Sequence, residues 1–252
     1  MTIVTAPDAG AGFGRWYRPA MVGLSLLALA WGALLFYTAA TGTFGGYWGV
    51  DIGHYLDGTR RWLAVGTPYL PSEVAAPFDY QPQTFMHPPV ALLLFLPFLY
   101  LPILAWWVIP LAITGAIVVA CRPAPWTWPL IAMAVAYPRF HDALIVGNSD
   151  LWVLAGIAAG LRFGWPALVI VIKPSLGFFV LAGSRHRSWW LGWIGVAILC
   201  VPFGVLWIDW VHVVINSPGD FTYSLWNVPY LLAPVVAWLG RTRLRPQTVQ
   251  RT

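Results

Sequence analysis

Charged residues that could do chemistry are concentrated in one short stretch of an otherwise apolar chain. The segment VDIGHYLDGTRRWLAVGTPY, residues 50–69, carries Asp51, His54, Asp57, Arg60 and Arg61. A carboxylate at the edge of an apolar environment has a raised pKa, which equips it to accept a proton as a general base. Asp51 is therefore the first candidate for catalysis. The alternative is that these charges only solvate the outer face of a surface helix.

Helical spacing divides this segment into two sets of residues. One face of a predicted helix carries residues that recur at intervals of three and four, namely Asp51, His54, Tyr55, Gly58 and Trp62. The other charged residues, Asp57, Arg60 and Arg61, point elsewhere. We therefore predict an amphipathic helix that lies along a membrane surface, with Asp51 at its start.

The composition indicates an integral membrane protein. The 27.9 kDa chain has a mean hydropathy of +0.70, with 59% hydrophobic and 9% charged residues, so it has too little polar surface for a soluble globule. No internal repeat or polar domain interrupts it, and we predict a single transmembrane domain over 1–252. The net charge of +5 does not indicate nucleic-acid binding, because thirteen of the fourteen basic residues are scattered arginines.

Metal sites and cofactors are not expected from the sequence. Cys121 and Cys200 lie in separate apolar stretches, without the spacing of a metal site or a disulfide framework. We predict two buried thiols, no metal and no cofactor.

Apolar runs predict an all-α, polytopic fold with about eight transmembrane helices. A span needs about 20 apolar residues. A long apolar run over 88–120 is divided near Leu101 and Pro102. The predicted spans cover 19–40, 88–101, 102–120, 126–137, 148–161, 166–183, 189–207 and 228–239.

Arginine distribution predicts the orientation, because cytoplasmic loops are enriched in Lys and Arg. With the N-terminus inside, the inner segments hold Arg15, Arg18, Arg139, Arg185, Arg187, Arg241, Arg243, Arg245 and Arg251. The outer segments hold only Arg60, Arg61, Arg122 and Arg162. We therefore expect a multi-pass protein of the plasma (inner) membrane with cytoplasmic tails at 1–18 and 240–252 and an extracytoplasmic loop at 41–87. The segment YPRFHDALIVGNSD is either a cytoplasmic turn or a re-entrant segment.

Several motifs in order resemble one family of membrane enzymes. They are DIGHYLDGTRRWLAVGTPY, FDYQPQTFMHPPVALLLFLPFLYLP, GNSDLWVLAGIAAGL and VIVIKPSLGFFVL, which together cover about 47–181. This order is similar to the polyprenol-phosphate-mannose-dependent α-mannosyltransferases of glycosyltransferase family 87, which have a GT-C fold. The resemblance implies a sugar donor linked to polyprenyl phosphate and a lipid or glycan acceptor.

The resemblance also implies roles for individual residues. Asp51 matches the catalytic base of an inverting transfer, in which the acceptor hydroxyl attacks the sugar as the lipid phosphate leaves. Positive charge must stabilise that phosphate, and the candidates are Arg60, Arg61 and Lys173. Lys173 is the single lysine and lies within an apolar run, where an ionisable residue is a functional candidate. Alternatively, Lys173 snorkels or pairs with Asp150 for structural reasons.

Further polar residues are candidates for substrate binding. His54 and Tyr55 share the helix face of Asp51, and His87 and Asn148 lie in the matching motifs. His87 either contacts sugar or caps a span. Asn148 either lines the same cavity or belongs to an N-cap with Asp150.

The chain is shorter than most members of the family, which usually carry further C-terminal spans. We expect either a minimal enzyme, half of a two-chain enzyme, or a non-catalytic subunit that packs with other membrane subunits. A small transporter is less supported, because no inverted repeat is visible. Convergence of Asp51, Arg60 or Arg61, and Lys173 on one open groove would favour the enzyme.

Overall fold

A computed structural model describes residues 10–42, 46–81, 83–218 and 225–242, with side chains from residue 16 onward. These residues form helices and turns, together with one isolated antiparallel bridge between Pro123 and Arg241. The all-α prediction is confirmed. Arg243, Arg245, Arg251 and most of the predicted tails lie outside the described residues, as do positions 43–45 and 82 of the predicted outer loop.

Twelve α-helices are present in the described residues. They are α1 (Gly10–Thr41), α2 (Val50–Val65), α3 (Pro71–Ala75), α4 (Leu92–Phe95), α5 (Ala105–Ala120), α6 (Thr127–Val135), α7 (Pro138–Val146), α8 (Asp150–Phe163), α9 (Arg187–Cys200), α10 (Leu206–Asn216), α11 (Val228–Leu231) and α12 (Ala233–Leu239). Segments of 3₁₀-helix cover Pro89–Ala91, Leu96–Leu99, Trp165–Ile172, Pro174–Gly183 and Val201–Phe203.

One helix is long and apolar enough to cross a membrane by itself, within the part of the chain that the structure describes. It is the segment Trp16–Thr41 of α1. Two bent pairs reach the required length only when each is taken as one span: α7 with α8, bent by 112°, and Arg187–Phe203 with α10, bent by 90°. Helix length alone therefore gives one to three spans and does not confirm eight.

Contacts define two opposite ends of the helix assembly. At the first, which we name the arginine end, the carbonyl of Arg122 accepts a 2.9 Å hydrogen bond from the Thr242 hydroxyl, and Arg162 and Arg241 both act electrostatically on Cys121. At the other, which we name the site end, the indole Nε1 of Trp106 donates to the carbonyl of Gly147 at 2.8 Å. Each of these interactions joins residues within or next to the ends of different helices.

Eight described segments run between these two ends. Their end contacts give the directions: Arg18 of α1 lines the same groove as Pro125, whereas Phe36 packs on His141 near the site end. The segments in chain order are α1, α5, α6 with α7, α8, Trp165–Ile172, Pro174–Gly183, α9, and α11 with α12. The first starts at the arginine end and the last returns to it, where Gly240 contacts Thr127.

This path differs from the predicted topology in several places. Arg122 and Arg162 were expected on the opposite side from Arg187 and Arg241, yet Arg122 bonds to Thr242, and Phe163 accepts a hydrogen bond from Ser188. The reason lies in 88–101, which was expected to cross. Phe95 from this stretch contacts both His87 before it and Trp106 after it, so both ends of the stretch lie at the site end.

Arg139 is also misplaced by the sequence prediction. Its near neighbour His141 packs on Phe36, which follows Arg18 by eighteen residues along α1, or roughly 27 Å at 1.5 Å per residue. Arg139 therefore lies far from the arginine end. Helices α6 and α7 together form one passage, because nine residues of α6 are too few to cross alone.

Aromatic packing fixes α2 against the rest of the fold. Tyr55 stacks on Phe95, with ring centroids 4.7 Å apart, and Phe95 contacts the buried Trp106. On the same helix, a Cβ at Gly58 would lie 2.2 Å from the Phe85 ring, so only glycine fits that contact. Burial of each large apolar side chain contributes about 1.5–3 kcal/mol, which makes the position of α2 well determined.

Candidate functional site

The start of α2 positions Asp51. Gly49 adopts a left-handed conformation (φ 68°) and its N–H donates to the carbonyl of Ile145 at 2.8 Å, which ties α2 to the end of α7. Asp51 follows in the first helical turn, where the helix dipole favours a carboxylate. The predicted helix over this segment is confirmed, with Asp57 and Arg60 exposed, whereas its position along a membrane surface stays a prediction.

The link between α7 and α8 brings Asn148 to Asp51. Gly147 ends α7 in a left-handed conformation (φ 72°), and the turn directs the Asn148 amide Nδ2 to the Asp51 Oδ2 at 2.6 Å. The Asn148 Oδ1 accepts hydrogen bonds from the Lys173 Nζ at 3.2 Å and from the Asp150 backbone N–H at 3.0 Å. Asn148 therefore connects a carboxylate to an ammonium group and also accepts a hydrogen bond from the first residue of α8.

Lys173 occupies the break between the two long 3₁₀ segments. Its Nζ lies 2.5 Å from the Oδ1 of Asp150, whose side chain is fully buried. The other carboxylate oxygen of Asp150 accepts hydrogen bonds from the Tyr230 hydroxyl at 2.9 Å and from the Asn227 side chain. Three separate parts of the chain thus contribute to this ion pair. The pairing of Lys173 with Asp150, one of the two alternatives considered from the sequence, is present.

Tyr55 and His87 form a second polar layer around Asp51. The Tyr55 hydroxyl lies 3.4 Å from the Asp51 Oδ2 and accepts a hydrogen bond from the Ser149 N–H at 3.3 Å. The His87 Nε2 lies 2.9 Å from the Ser149 Oγ. His87 caps no helix, because Pro88 occupies the cap position of the following 3₁₀ turn without a side-chain bond.

An open cavity of about 530 Å³ lies above these groups. Asp51, Tyr55, His87, Asn148 and Lys173 all line it, so five of the eight predicted site residues converge on one space. Its opposite wall comes from Trp210 and neighbouring residues of α10. The Trp210 indole donates to the Met86 carbonyl at 3.1 Å, which fixes that wall to the loop that precedes Pro89–Ala91.

Burial sets the protonation of the cavity groups on α2 and at His87. It raises the pKa of the Asp51 carboxyl, while the hydrogen bond from Asn148 and the charge of Lys173 act in the opposite direction. Burial and the Asp51 charge raise the pKa of the Tyr55 phenol. Burial, assisted by the Lys173 charge, lowers the pKa of His87 to about 3, so this imidazole is neutral at physiological pH.

The other three predicted residues lie away from the cavity wall. Arg60 pairs with Asp57 at 2.7 Å on the exposed face of α2. Arg61 donates to the carbonyls of Pro68 and Gln83 and so fastens the chain that follows α2. His54 is buried beside Tyr80, with ring centroids 6.2 Å apart, and reaches Asp51 only electrostatically.

Several residues of the site were not predicted. Asn227 and Tyr230 reach Asp150 across more than 75 positions of sequence, and Trp210 comes from the bent end of the α9–α10 pair. No local pattern identifies such contacts. Ser175, which also lines the cavity, could have been identified from the sequence, because it lies two residues after Lys173 in the Lys-Pro-Ser motif.

No protein-family model, curated protein or solved structure matches this chain. Among the described residues, no group of three or more His, Cys, Asp or Glu side chains is placed to hold a metal ion. The chemistry of the site is therefore argued from its own geometry.

Proposed function

We propose that this chain is a membrane glycosyltransferase that moves a sugar from a polyprenyl-phosphate donor to a lipid or glycan hydroxyl. The observation that carries the proposal is the joint placement of Asp51 and Lys173 on one cavity, connected through Asn148. A base and a cation on one open space are what this reaction requires. The sugar is most simply mannose, by the family resemblance.

The reaction assigns one task to each group. Asp51 takes the proton of the acceptor hydroxyl, whose oxygen attacks the anomeric carbon with inversion. The bond from that carbon to the phosphate oxygen breaks, and the oxygen keeps the electron pair. The Lys173 ammonium has three N–H donors. One donates to Asn148, the charge is paired with Asp150, and an N–H that remains serves the leaving phosphate. Arg60 and Arg61 have no part in this proposal.

Neutral polar groups suit the sugar itself. Tyr55, His87 and Asn148 present hydroxyl, imidazole and amide groups to the cavity, and a hexose offers matching hydroxyls. The low pKa of His87 keeps a ring nitrogen free of charge for such contacts. Trp210 provides an apolar wall for a sugar face.

The membrane arrangement belongs to the same proposal. The eight passages between the two ends are the transmembrane segments, and the arginine end faces the cytoplasm with both termini, in the plasma (inner) membrane. Helix α8 has 14 residues, about 21 Å at 1.5 Å per residue, which is less than the roughly 30 Å hydrocarbon core. The cavity above it would then lie slightly below the outer membrane surface, within reach of a lipid-linked donor.

A non-catalytic subunit of a larger membrane complex is the second candidate. The observation that favours it is the Lys173–Asp150 pair, which satisfies the charge of Lys173 without any ligand. In that role the chain would bind other membrane subunits and need no sugar donor.

Transfer assays with two matched variants test the enzyme. Asp51→Asn should lower turnover by about 10² to 10⁴, the usual contribution of a positioned general base, with the donor still bound. Asp57→Asn changes the neighbouring exposed carboxylate in the same helix and should leave turnover unchanged. Equal transfer by Asp51→Asn and the wild type would remove Asp51 from the reaction. Absence of transfer with stoichiometric foreign subunits in the purified protein would favour the second candidate.

A further inference from the structure

A second open groove lies at the arginine end, between α1 and the start of α6. Its volume is about 520 Å³, within the roughly 300–1,000 Å³ range of ligand sites. Arg18, Met21, Val22, Ser25 and Leu26 form one wall, and these positions recur at intervals of three and four along one helix face. The groove therefore follows α1 for about 12 Å, given 1.5 Å per residue.

The groove has one charged end and an otherwise apolar lining. Its one hydroxyl, on Ser25, already donates to the Met21 carbonyl of the same helix at 2.7 Å. Pro125 and Trp128 close the opposite side with apolar surface. The ligand that fits must therefore have one polar head and an apolar body.

The positive charge at one end of the groove determines whether an anionic or a cationic head group would bind there. Arg18 is exposed, and no ion pair joins it to a carboxylate among the described residues. Arg122 and Arg241 lie at the same end of the fold and add positive potential. An anionic head would be stabilised there, and a cationic head would be repelled.

We propose that this groove binds one anionic phospholipid, with its phosphate at Arg18 and an acyl chain along Met21, Val22 and Leu26. The site is separate from the Asp51 cavity, which lies at the opposite end of the fold, and the proposal does not depend on glycosyl transfer. Trp128 lines the same groove, and tryptophan is enriched where membrane proteins meet lipid headgroups. The lipid would cover a face of α1 that the protein itself leaves exposed.

Lipid retention by the full chain tests the site. The purified protein is equilibrated with equal phosphatidylglycerol and phosphatidylcholine in mixed micelles, and bound lipids are counted by native mass spectrometry. The wild type should retain phosphatidylglycerol preferentially. Arg18→Gln should weaken that retention about fivefold, the equivalent of about 1 kcal/mol for one basic residue near the membrane surface. Arg60→Gln removes an exposed arginine at the other end and should retain the lipid as the wild type does.

A second variant tests the apolar part of the groove. Leu26→Trp keeps Arg18 but fills the space for the acyl chain, so it should also lose the retained lipid. Equal phosphatidylglycerol binding by the wild type, Arg18→Gln and Leu26→Trp would overturn the proposal. Equal retention of phosphatidylcholine by the wild type, or a polypeptide cross-linked in the groove in place of lipid, would overturn it as well.

Discussion

The Lys173 Nζ lies 2.5 Å from the Oδ1 of Asp150, and this ion pair joins the break between two 3₁₀ segments to the first residue of α8. The Asp150 side chain is fully buried, and that of Lys173 is only 16% exposed. An ion pair removed from water is costly to break from one side, because the remaining charge has no compensation. The ion pair therefore fixes the position of Lys173 relative to α8, with or without a ligand in the cavity.

Removal of one partner of this pair should be more damaging than removal of both. Asp150→Asn leaves the Lys173 ammonium without its counter-charge and should lower the free energy of unfolding by about 3–5 kcal/mol. The double variant Asp150→Asn with Lys173→Met should recover a large part of that loss. Asp57→Asn, which breaks an exposed pair with Arg60, should cost at most about 1 kcal/mol. Denaturant unfolding in detergent measures all three, and a double variant less stable than the single one would contradict the expectation.

The pH dependence of transfer should report Asp51. A general base works only when deprotonated, so activity should rise with pH through the pKa of this carboxyl. Burial raises that pKa, so the half-maximal pH should lie above the ordinary aspartate value of 3.8. Asn148→Ala removes a hydrogen bond that lowers the pKa, and its half-maximal pH should move higher still. Unmoved or lower half-maximal pH in that variant would show that Asn148 does not stabilise the charged form.

Local patterns predicted the parts of the site that lie on one element. The helical spacing of Asp51 and Tyr55 was visible in the sequence, and so was the isolated charge of Lys173 in an apolar run. Their convergence was expected only through the family resemblance. The contribution of Asn227 and Tyr230 could not be predicted, because nothing in a local pattern states which distant helix end meets Asp150.

Hydropathy identified the apolar segments of the chain, but it did not predict the direction in which each segment runs. The run 88–120 is apolar enough for two spans, yet its first part folds back onto the aromatic cluster around Trp106. Hydropathy cannot distinguish such a return from a crossing. The sequence also did not reveal the partners of Arg60 and Arg61. Their position near Asp51 suggested a phosphate site, but Arg60 pairs with Asp57 and Arg61 donates to loop carbonyls.

The turn after α7 should tolerate no side chain at position 147. Gly147 has φ 72°, and a Cβ there would lie 2.9 Å from the Trp107 ring and 3.0 Å from Ile52. Gly147→Ala should therefore destabilise the fold by about 1–3 kcal/mol, through backbone strain and displaced packing, and it should also misplace Asn148. Gly53→Ala is the matched control. A Cβ at Gly53 meets no atom within 4 Å and lies inside α2, so this change should be neutral or should stabilise by up to about 1 kcal/mol. Thermal unfolding separates the two, and equal midpoints would contradict the assignment.

Cysteine labelling should distinguish the observed path from the topology predicted by hydropathy. In a background with Cys121 and Cys200 changed to Ser, a cysteine at the exposed Ser72 should react with an impermeant thiol reagent in intact cells, because α3 packs with α10 at the site end. A cysteine at the exposed Arg122 should stay unlabelled until the cells are opened, because the Arg122 carbonyl bonds to Thr242 at the arginine end. The hydropathy prediction gives the opposite result for Arg122, which it assigns to an outer loop. Labelling at both positions in intact cells would favour that prediction and contradict the shared arginine end. Labelling at Arg122 alone would reverse the orientation and place the Asp51 cavity on the cytoplasmic side.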